Sequence, residues 1–254
     1  MNDVELAGRV AREAGHLLLQ IRADAQRDGL DSAALKDKGD HDSNVLILER
    51  LRTERPDDSI LSEESKDSAE RLTAKRVWIV DPVDGTREYS EGRSDWAVHI
   101  ALVSGGVPIV GAVALPSLDK VLVTKPAASI VPSHAPKPRL VVSRSRPPKL
   151  AEYLAGVLDA DLVPMGSAGA KTMSIILGES DIYAHAGGQY EWDSCAPVAV
   201  AAAAGLHCSR LDGTDLIYNN PDPYLPDLLV CRNEFKVRVL AAIASAPIGS
   251  FDTA

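Results

Sequence analysis

The segment RVWIVDPVDGTREY, residues 76–89, changes character halfway along. Val77, Trp78, Ile79 and Val80 form a short apolar run rich in β-branched and aromatic residues, the composition of a buried strand. The run stops on Asp81-Pro82-Val83-Asp84-Gly85-Thr86. Pro82 cannot continue a central strand, and Gly85 permits a backbone conformation that other residues resist. Two carboxylates three residues apart therefore project from a tight turn at the mouth of a strand. Hard divalent cations take such oxygen ligands, and Mg²⁺ typically binds through a few carboxylates together with water and substrate phosphate. Taken alone, the same residues also describe an Asx-type turn whose aspartates cap their own backbone. The decision comes from the rest of the chain.

Its 254 residues suffice for one large domain or two small ones, and 45% hydrophobic with 25% charged residues is ordinary for a soluble globular protein. A net charge of −9 argues against a binder of nucleic-acid polymers, which carries a basic face. An acidic chain can still handle phosphates if cations sit between its carboxylates and the substrate. Three cysteines (Cys195, Cys208 and Cys231) form no CxxC pair and leave an odd count, which fits a reduced, cytoplasmic compartment. The opening residues MNDVELAGRV lack the features of a signal peptide, and no apolar run approaches the ~18 residues of a membrane span.

Residues 3–26 place Leu6, Val10, Ala14, Leu17, Leu18 and Ile21 on one helical face, and Gly29 marks the end. Lys36-Asp37-Lys38-Gly39-Asp40 reads as a polar loop before a second helix from about Ser43 to Arg55, stopped by Pro56. Ser59-Ile60-Leu61-Ser62 is a short strand delivering Glu63-Glu64. After the central turn, Trp96–Val103, Val107–Leu115 and Lys120–Thr124 follow one another too closely for crossover helices and predict an antiparallel meander. A Pro-rich stretch (Pro126, Pro132, Pro136, Pro138) is the candidate junction between an N-terminal α+β region, 1–130, and a C-terminal α/β region, 131–254. Beyond it, strands (140–142, 162–164, 181–185, 228–231) alternate with helices (148–158, 168–177, 193–204, 234–242). Asp193 precedes an apolar helix and by itself reads as an N-cap.

Ser62-Glu63-Glu64-Ser65, Asp81-Pro82-Val83-Asp84-Gly85-Thr86 and Glu191-Trp192-Asp193-Ser194-Cys195-Ala196 together resemble the magnesium-dependent, lithium-sensitive phosphatases of the inositol monophosphatase superfamily. The likeness spans roughly residues 3–232. It implies a layered αβαβα sandwich and two or three Mg²⁺ ions. Glu63, Asp81 and the Val83 carbonyl would hold one ion, and Asp81, Asp84 and Asp193 a second; Glu63 would also reach a third. It further implies catalytic roles for Asp40, Thr86 and Glu63, the Asp40–Thr86 pair accepting the proton of the attacking water. Here the chain departs from the family, reading Lys36-Asp37-Lys38-Gly39-Asp40 where a Val-Thr-x-x-Asp pattern is usual. Gly85 and Thr86 are expected to open a helix whose N–H groups face the phosphate. No covalent nucleophile is required, which leaves the cysteines as bystanders.

Within the superfamily the chain is most similar to the CysQ-type 3'(2'),5'-bisphosphate nucleotidases, which release AMP from 3'-phosphoadenosine 5'-phosphate, a by-product of sulfate assimilation. Arg87-Glu88-Tyr89 stands where inositol monophosphatases favour Thr-Asn-Phe, and Ser143-Arg144-Ser145 with Gly166-Ser167 and Lys171 match that branch. Arg144, Arg146 or Lys171 would bind the second phosphate, with Glu63, Val83, Asp84, Gly85, Thr86, Arg87 and Asp193 completing the substrate site. The implied partner is a small phosphate ester, not a nucleic acid or a membrane; a homodimer is left open. Activity on inositol phosphates or fructose 1,6-bisphosphate is the alternative. A haloacid-dehalogenase-type site would space its carboxylates two apart, and an EF-hand needs alternating ligands and a later Glu. A non-catalytic metal and nucleotide sensor is the rival of a different class, and every ligand type being intact speaks against it.

Overall fold

The computed structural model describes residues 1–145 and 147–251, and of Ile248 the backbone alone. The expectation placed on Arg146 therefore lies outside the described residues. Two long helices come first, α1 (Asp3–Asp28) and α2 (Ser32–Glu54). A first sheet follows, with β1 (Ser59–Ser62), β2 (Val77–Asp84), β3 (Ala97–Ser104), β4 (Val107–Leu115) and β5 (Lys120–Val123) in chain order. β1 runs parallel to β2, and the remaining neighbours are antiparallel, as the short connections demand. A one-turn helix, α3 (Thr86–Ser90), leaves the end of β2.

The second half alternates β6 (Arg139–Ser143), α4 (Lys149–Leu158), β7 (Asp161–Met165), α5 (Ala168–Ile176), β8 (Ile182–Tyr190), α6 (Glu191–Ala204), β9 (His207–Ser209), β10 (Tyr224–Cys231) and α7 (Lys236–Ala244). Its sheet has the order β7-β6-β8-β10-β9. β6 is parallel to β7 and β8, whereas β10 is antiparallel to both its neighbours.

Three cores stack these elements into five layers. Leu6, Val10, Leu18, Ile47 and Leu51 of α1 and α2 pack on Trp78, Val80, Val98 and Ile100. Side chains on the opposite face of the same sheet, Val77, Ile79, Ala101 and Val113, meet Met173 and Ile176 of α5 and Cys195 and Val200 of α6. Those helices in turn cover Val141, Tyr183, Leu228 and Val230 of the second sheet. Leu140, Ile182, Ala184 and Leu229 point the other way onto α4 and α7. Strands covered on both faces need apolar residues at successive positions, which is why Val77–Val80 reads as an unbroken apolar run. The layering is αβαβα.

Three local expectations are corrected. Lys36–Asp40 is helical, not a loop: α2 starts at Ser32, where Asp31 caps it by accepting from Ala34 N at 2.9 Å. Gly39 within it is a contact residue, since a Cβ there would lie 2.6 Å from the Tyr89 ring. α6 starts at Glu191, so Asp193 is not the N-cap but sits in the first turn, accepting from Tyr190 N at 2.6 Å. β8 does not stop at His185. It runs through Gly187 and Gly188 to Tyr190, with a register irregularity opposite Leu225 and Asp227.

Candidate active site

A cavity of about 580 Å³ opens where the ends of β1 and β2 meet α5, β8, α6 and β10. Its wall carries Glu63, Asp81, Val83, Asp84, Gly85, Thr86, Arg87, Lys171 and Asp193 of the sequence-derived set. Asp40 and Arg144 are not on it.

Parallel pairing explains the first two carboxylates. Ser62 lies abreast of Val80, and Glu63 N donates to Val80 O at 3.2 Å, so Glu63 and Asp81 leave the sheet side by side. A bulge explains the third. Alternation along a regular strand would send Asp81 and Asp84 to opposite faces. On β2, however, three residues from Asp81 to Asp84 span the two from His99 to Ala97 on β3. The extra residue re-aims the side chain, as bulges beside sites commonly do. Pro82 accommodates it because the bulge needs no ladder N–H there. Its carbonyl is pinned by the Ser43 hydroxyl at 2.9 Å, and Asp81 Oδ1 accepts from Val83 N at 3.0 Å. Gly85 then turns the chain at φ 85°, a left-handed conformation suited to glycine. Asp193 arrives from α6, and one oxygen each of Asp81, Asp84 and Asp193 lies within 4.8 Å of the others.

Asp84 links the two halves of the chain. Ala168 N at 3.2 Å, Gly169 N at 2.7 Å and the Ser167 hydroxyl all donate to it, so it caps α5 from the first sheet. His99 Nε2, fully buried, is 3.2 Å away. Burial alone would raise the Asp84 carboxyl, but His99 and these donors outweigh it and hold the group at about 2. The other His99 nitrogen, Nδ1, is 3.0 Å from Trp192 O. Burial opposes charge on this ring, yet the Asp84 carboxylate and the carbonyl prevail and raise its pKa. Gly169 fits because a Cβ there would come within 2.0 Å of His99 Nε2.

The other carboxylates behave oppositely. Burial, then the charge of Glu63, pushes Asp81 well above the usual carboxylate range. Burial followed by Asp193 lifts Glu63 to about 7, and burial followed by Asp84 lifts Asp193 to about 6. Four acids cannot all ionise at this separation, although His99 and Lys171 partly offset the charge at Asp193. The donor set is all oxygen, matching hard divalent cations rather than thiolate-seeking or imidazole-seeking metals. A bound cation would reverse the repulsion.

Lys171 of α5 is 6% exposed, its Nζ lying 3.4 Å from Gly166 O and 5.3 Å from the Tyr183 ring centroid. Burial lowers its pKa. Arg87 lines the cavity while paired to Glu91 at 2.8 Å. Arg144 is held by Asp95 at 2.6 Å and Glu88 at 3.5 Å, and Asp95 also accepts from Gly166 N at 2.5 Å. The guanidinium thus braces the loop before α5, with two carboxylates already neutralising it. Asp40 sits inside α2, where burial and then Glu64 lift it to about 7; among the described residues it makes no hydrogen bond to Thr86. Sequence reasoning missed His99, Gln189, Tyr190 and Tyr224. A histidine inside the apolar run Val98–Ile100 was the available signal for the first. For the others it was the polar and aromatic residues flanking Gly187-Gly188 and opening β10.

Comparison with known proteins converges on one group. A sequence model of the Inositol monophosphatase family matches residues 4–246. The chain is 51% identical over 247 residues to the 3'-phosphoadenosine 5'-phosphate phosphatase of Mycobacterium tuberculosis, covering 92% of this chain and 90% of that protein. It is 30% identical over 239 residues to the 3'(2'),5'-bisphosphate nucleotidase CysQ of Salmonella typhimurium, covering 87% and 96%. Among solved structures, CysQ from Bacteroides thetaiotaomicron superposes with a TM-score of 0.79 at 25% identity, over 91% of this chain and 97% of that one.

Proposed function

The chain belongs to the inositol monophosphatase family, and from that premise we propose that it is a Mg²⁺-dependent phosphomonoesterase that removes the 3'-phosphate of 3'-phosphoadenosine 5'-phosphate to give AMP. The carrying observation is the convergence of Glu63, Asp81, Asp84 and Asp193, from both halves of the chain, on one cavity in a chain 51% identical to a phosphatase of that name. In that role the protein would clear a by-product of sulfate assimilation in the cytoplasm. Among the described residues no helix is long and apolar enough to cross a membrane.

Glu63, Asp81, Asp84, Asp193 and the Val83 carbonyl would hold two or three Mg²⁺ ions. Bound there, such ions supply charge neutralisation for the phosphoryl group and activation of the attacking water. Asp84, kept ionised by His99 and the start of α5, is ready to ligate without losing a proton. His99 acts through Asp84 and Trp192 as a positioning residue. Proton acceptance falls to Glu63, the most exposed of the four carboxylates, rather than to Asp40, which the α2 helix carries off the cavity wall. Gly85 and Thr86 form the wall beside the scissile phosphate, and Lys171 and Arg87 offer charge to the second. Arg144 serves the same end indirectly by fixing the Gly166 loop through Asp95.

The test is phosphate release from a panel of monoesters with Mg²⁺ and purified protein. 3'-phosphoadenosine 5'-phosphate should give a higher kcat/KM than inositol 1-phosphate by roughly 10- to 100-fold, the worth of one charge-assisted hydrogen bond to the second phosphate. Equal values would return the chain to the inositol monophosphatase activity, and no turnover of any ester would favour a sensor. Inhibition by millimolar Li⁺ is expected.

A further inference from the structure

Off the cavity wall, a buried arginine joins the two halves of the chain. Arg71 lies in the connection between β1 and β2, on a short 3₁₀ turn (Ala69–Thr73), and is only 2% exposed. A charged side chain is rarely buried this far unless its donors are met. Here each of the five guanidinium N–H groups has an acceptor. Nε and Nη2 form a fork on the Asp67 carboxylate at 2.7 and 2.9 Å. Nη1 donates to Asn219 Oδ1 at 2.8 Å and to Asn220 O at 2.9 Å, and Nη2 reaches Pro221 O at 3.4 Å. Asn219 Nδ2 returns a bond to Arg71 O at 3.1 Å. The other side of the same loop is gripped by Glu191, which is fully buried. Glu191 Oε2 accepts from Asn219 N, and Oε1 from Asn220 N and Nδ2, each at 2.7 Å. Asn219-Asn220 is thus held between a buried cation and a buried anion.

Both ends of this network lead to the site carboxylates. Glu191 is the first residue of α6, two before Asp193. On the Arg71 side, Ser62 Oγ donates to Asn44 Oδ1 at 2.8 Å and Asn44 Nδ2 to Ser65 Oγ at 3.1 Å. Glu63 therefore sits in a segment fixed to α2 at one end and, through Asp67 and Arg71, to the C-terminal half at the other. We infer that Arg71, acting through Asn219-Asn220 and Glu191, is a positioning residue that sets Glu63 against Asp193 and thereby the affinity of the carboxylate cluster for a divalent cation. This rests on the metal reading above and extends it to residues that touch neither ion nor substrate. Apolar packing between the halves is non-directional and would hold them together without fixing the distance between two particular carboxylates. Mg²⁺ demands near-ideal octahedral geometry, which a directional hydrogen-bonded bridge can supply.

The experiment measures Mg²⁺ binding to the metal-stripped protein by calorimetry, alongside hydrogen exchange across residues 63–73. Asn219 has φ 63°, which glycine adopts freely, so Asn219→Gly deletes the side-chain bonds to Arg71 without straining the loop. It should weaken Mg²⁺ binding about 10-fold and speed exchange in 63–73. Arg71→Gln should weaken binding by up to about 100-fold. Adding Asn219→Gly to it should change little more, because both break one connection. Arg71→Lys keeps the charge without the fork and should fall between wild type and Arg71→Gln. In every variant kcat should return toward the wild-type value at saturating Mg²⁺. Faster exchange or a lower Tm with unchanged Mg²⁺ affinity would overturn the positioning role and leave Arg71 a purely structural residue. If Arg71→Gln does not fold, Asn219→Gly decides the matter alone. A wild-type protein that binds no Mg²⁺ would fail the metal reading first and take this inference with it.

Discussion

At the floor of the cavity, Glu63, Asp81, Asp84 and Asp193 arrive from the end of β1, the bulged end of β2 and the first turn of α6, whereas the lip is two tyrosines opposed across a single antiparallel pair. The floor is internally repulsive: three of its four carboxyls are pushed up in pKa, and only Asp84 is held down. The lip supports itself, with Tyr190 stacked on Trp192 and Tyr224 resting over Gly188. One region holds charge that needs a counter-ion to be stable; the other is apolar and already in shape. Substitutions in the floor should therefore act on kcat and on ion dependence, and those in the lip on KM and on which substrate is chosen.

The largest expected effect is at Asp84. Asp84→Asn keeps the side chain's shape but removes the charge facing His99, and kcat should fall by about 10³-fold or more with an unchanged far-UV CD spectrum. Near-normal turnover would remove Asp84 from the floor's chemistry. A smaller effect is expected one step outward. His99→Gln should weaken Mg²⁺ affinity about 10- to 100-fold, as loss of a group that orients a ligand does, read as a rise in the Mg²⁺ concentration giving half-maximal activity. If kcat fell with no such shift, His99 would belong to the chemistry rather than to positioning.

The repulsive floor also has a stability signature. Glu63 and Asp193 have folded pKa values of about 7 and 6, above their ordinary values of 4.5 and 3.8. The native state thus holds more protons than the unfolded chain between roughly pH 4 and 7, and its stability must fall as pH rises through that window. Metal-stripped protein should accordingly lose Tm between pH 5 and 8, at about 2–4 °C per kcal/mol, and added Mg²⁺ should flatten the slope. A Tm that rises across this range without metal would contradict the crowding described at the floor. The smallest change is predicted for Asp40→Asn, less than about fivefold in kcat because the residue is off the cavity wall; a loss of 10²-fold would restore it to proton transfer.

The floor was legible in the sequence and the lip was not, for a physical reason. Each floor carboxylate sits next to a short apolar run or an apolar helix, so its place at an element's end can be read locally. The αβαβα layering was legible for the same reason, since strands buried on both faces announce themselves as unbroken apolar runs. Tyr190 and Tyr224 meet only through the register of β8 with β10, and 33 residues of chain between those strands hide it. Gly187-Gly188 ordinarily ends a strand, so the extension of β8 to Tyr190 was masked as well. In α2, Lys36–Asp40 looked like a loop because Gly39 breaks the helical pattern, yet the glycine is there to admit the Tyr89 ring. Asp40, placed by spacing alone, lies within that helix. Arg144 was recognised as a site residue from its motif, but motifs do not show that Asp95 and Glu88 are waiting for the guanidinium.

The central layer has a consequence for how the chain is born. α5 and α6 lie between the two sheets and cover the inner face of the first, yet α6 ends only at Ala204, about 80 residues after β5 ends at Val123. At roughly 5–20 residues per second, a ribosome needs about 4–16 s to make that interval. Until α5 and then α6 have been made, Val77, Ile79, Ala101 and Val113 lack that cover in whole or in part, and β1 and β5 are open edges. The nascent N-terminal half is then a half-clad sheet, the kind of surface that sticks to its neighbours on a crowded polysome. Overproduction in a fast-translating host should fill inclusion bodies, and slower synthesis or added holdase should recover soluble protein.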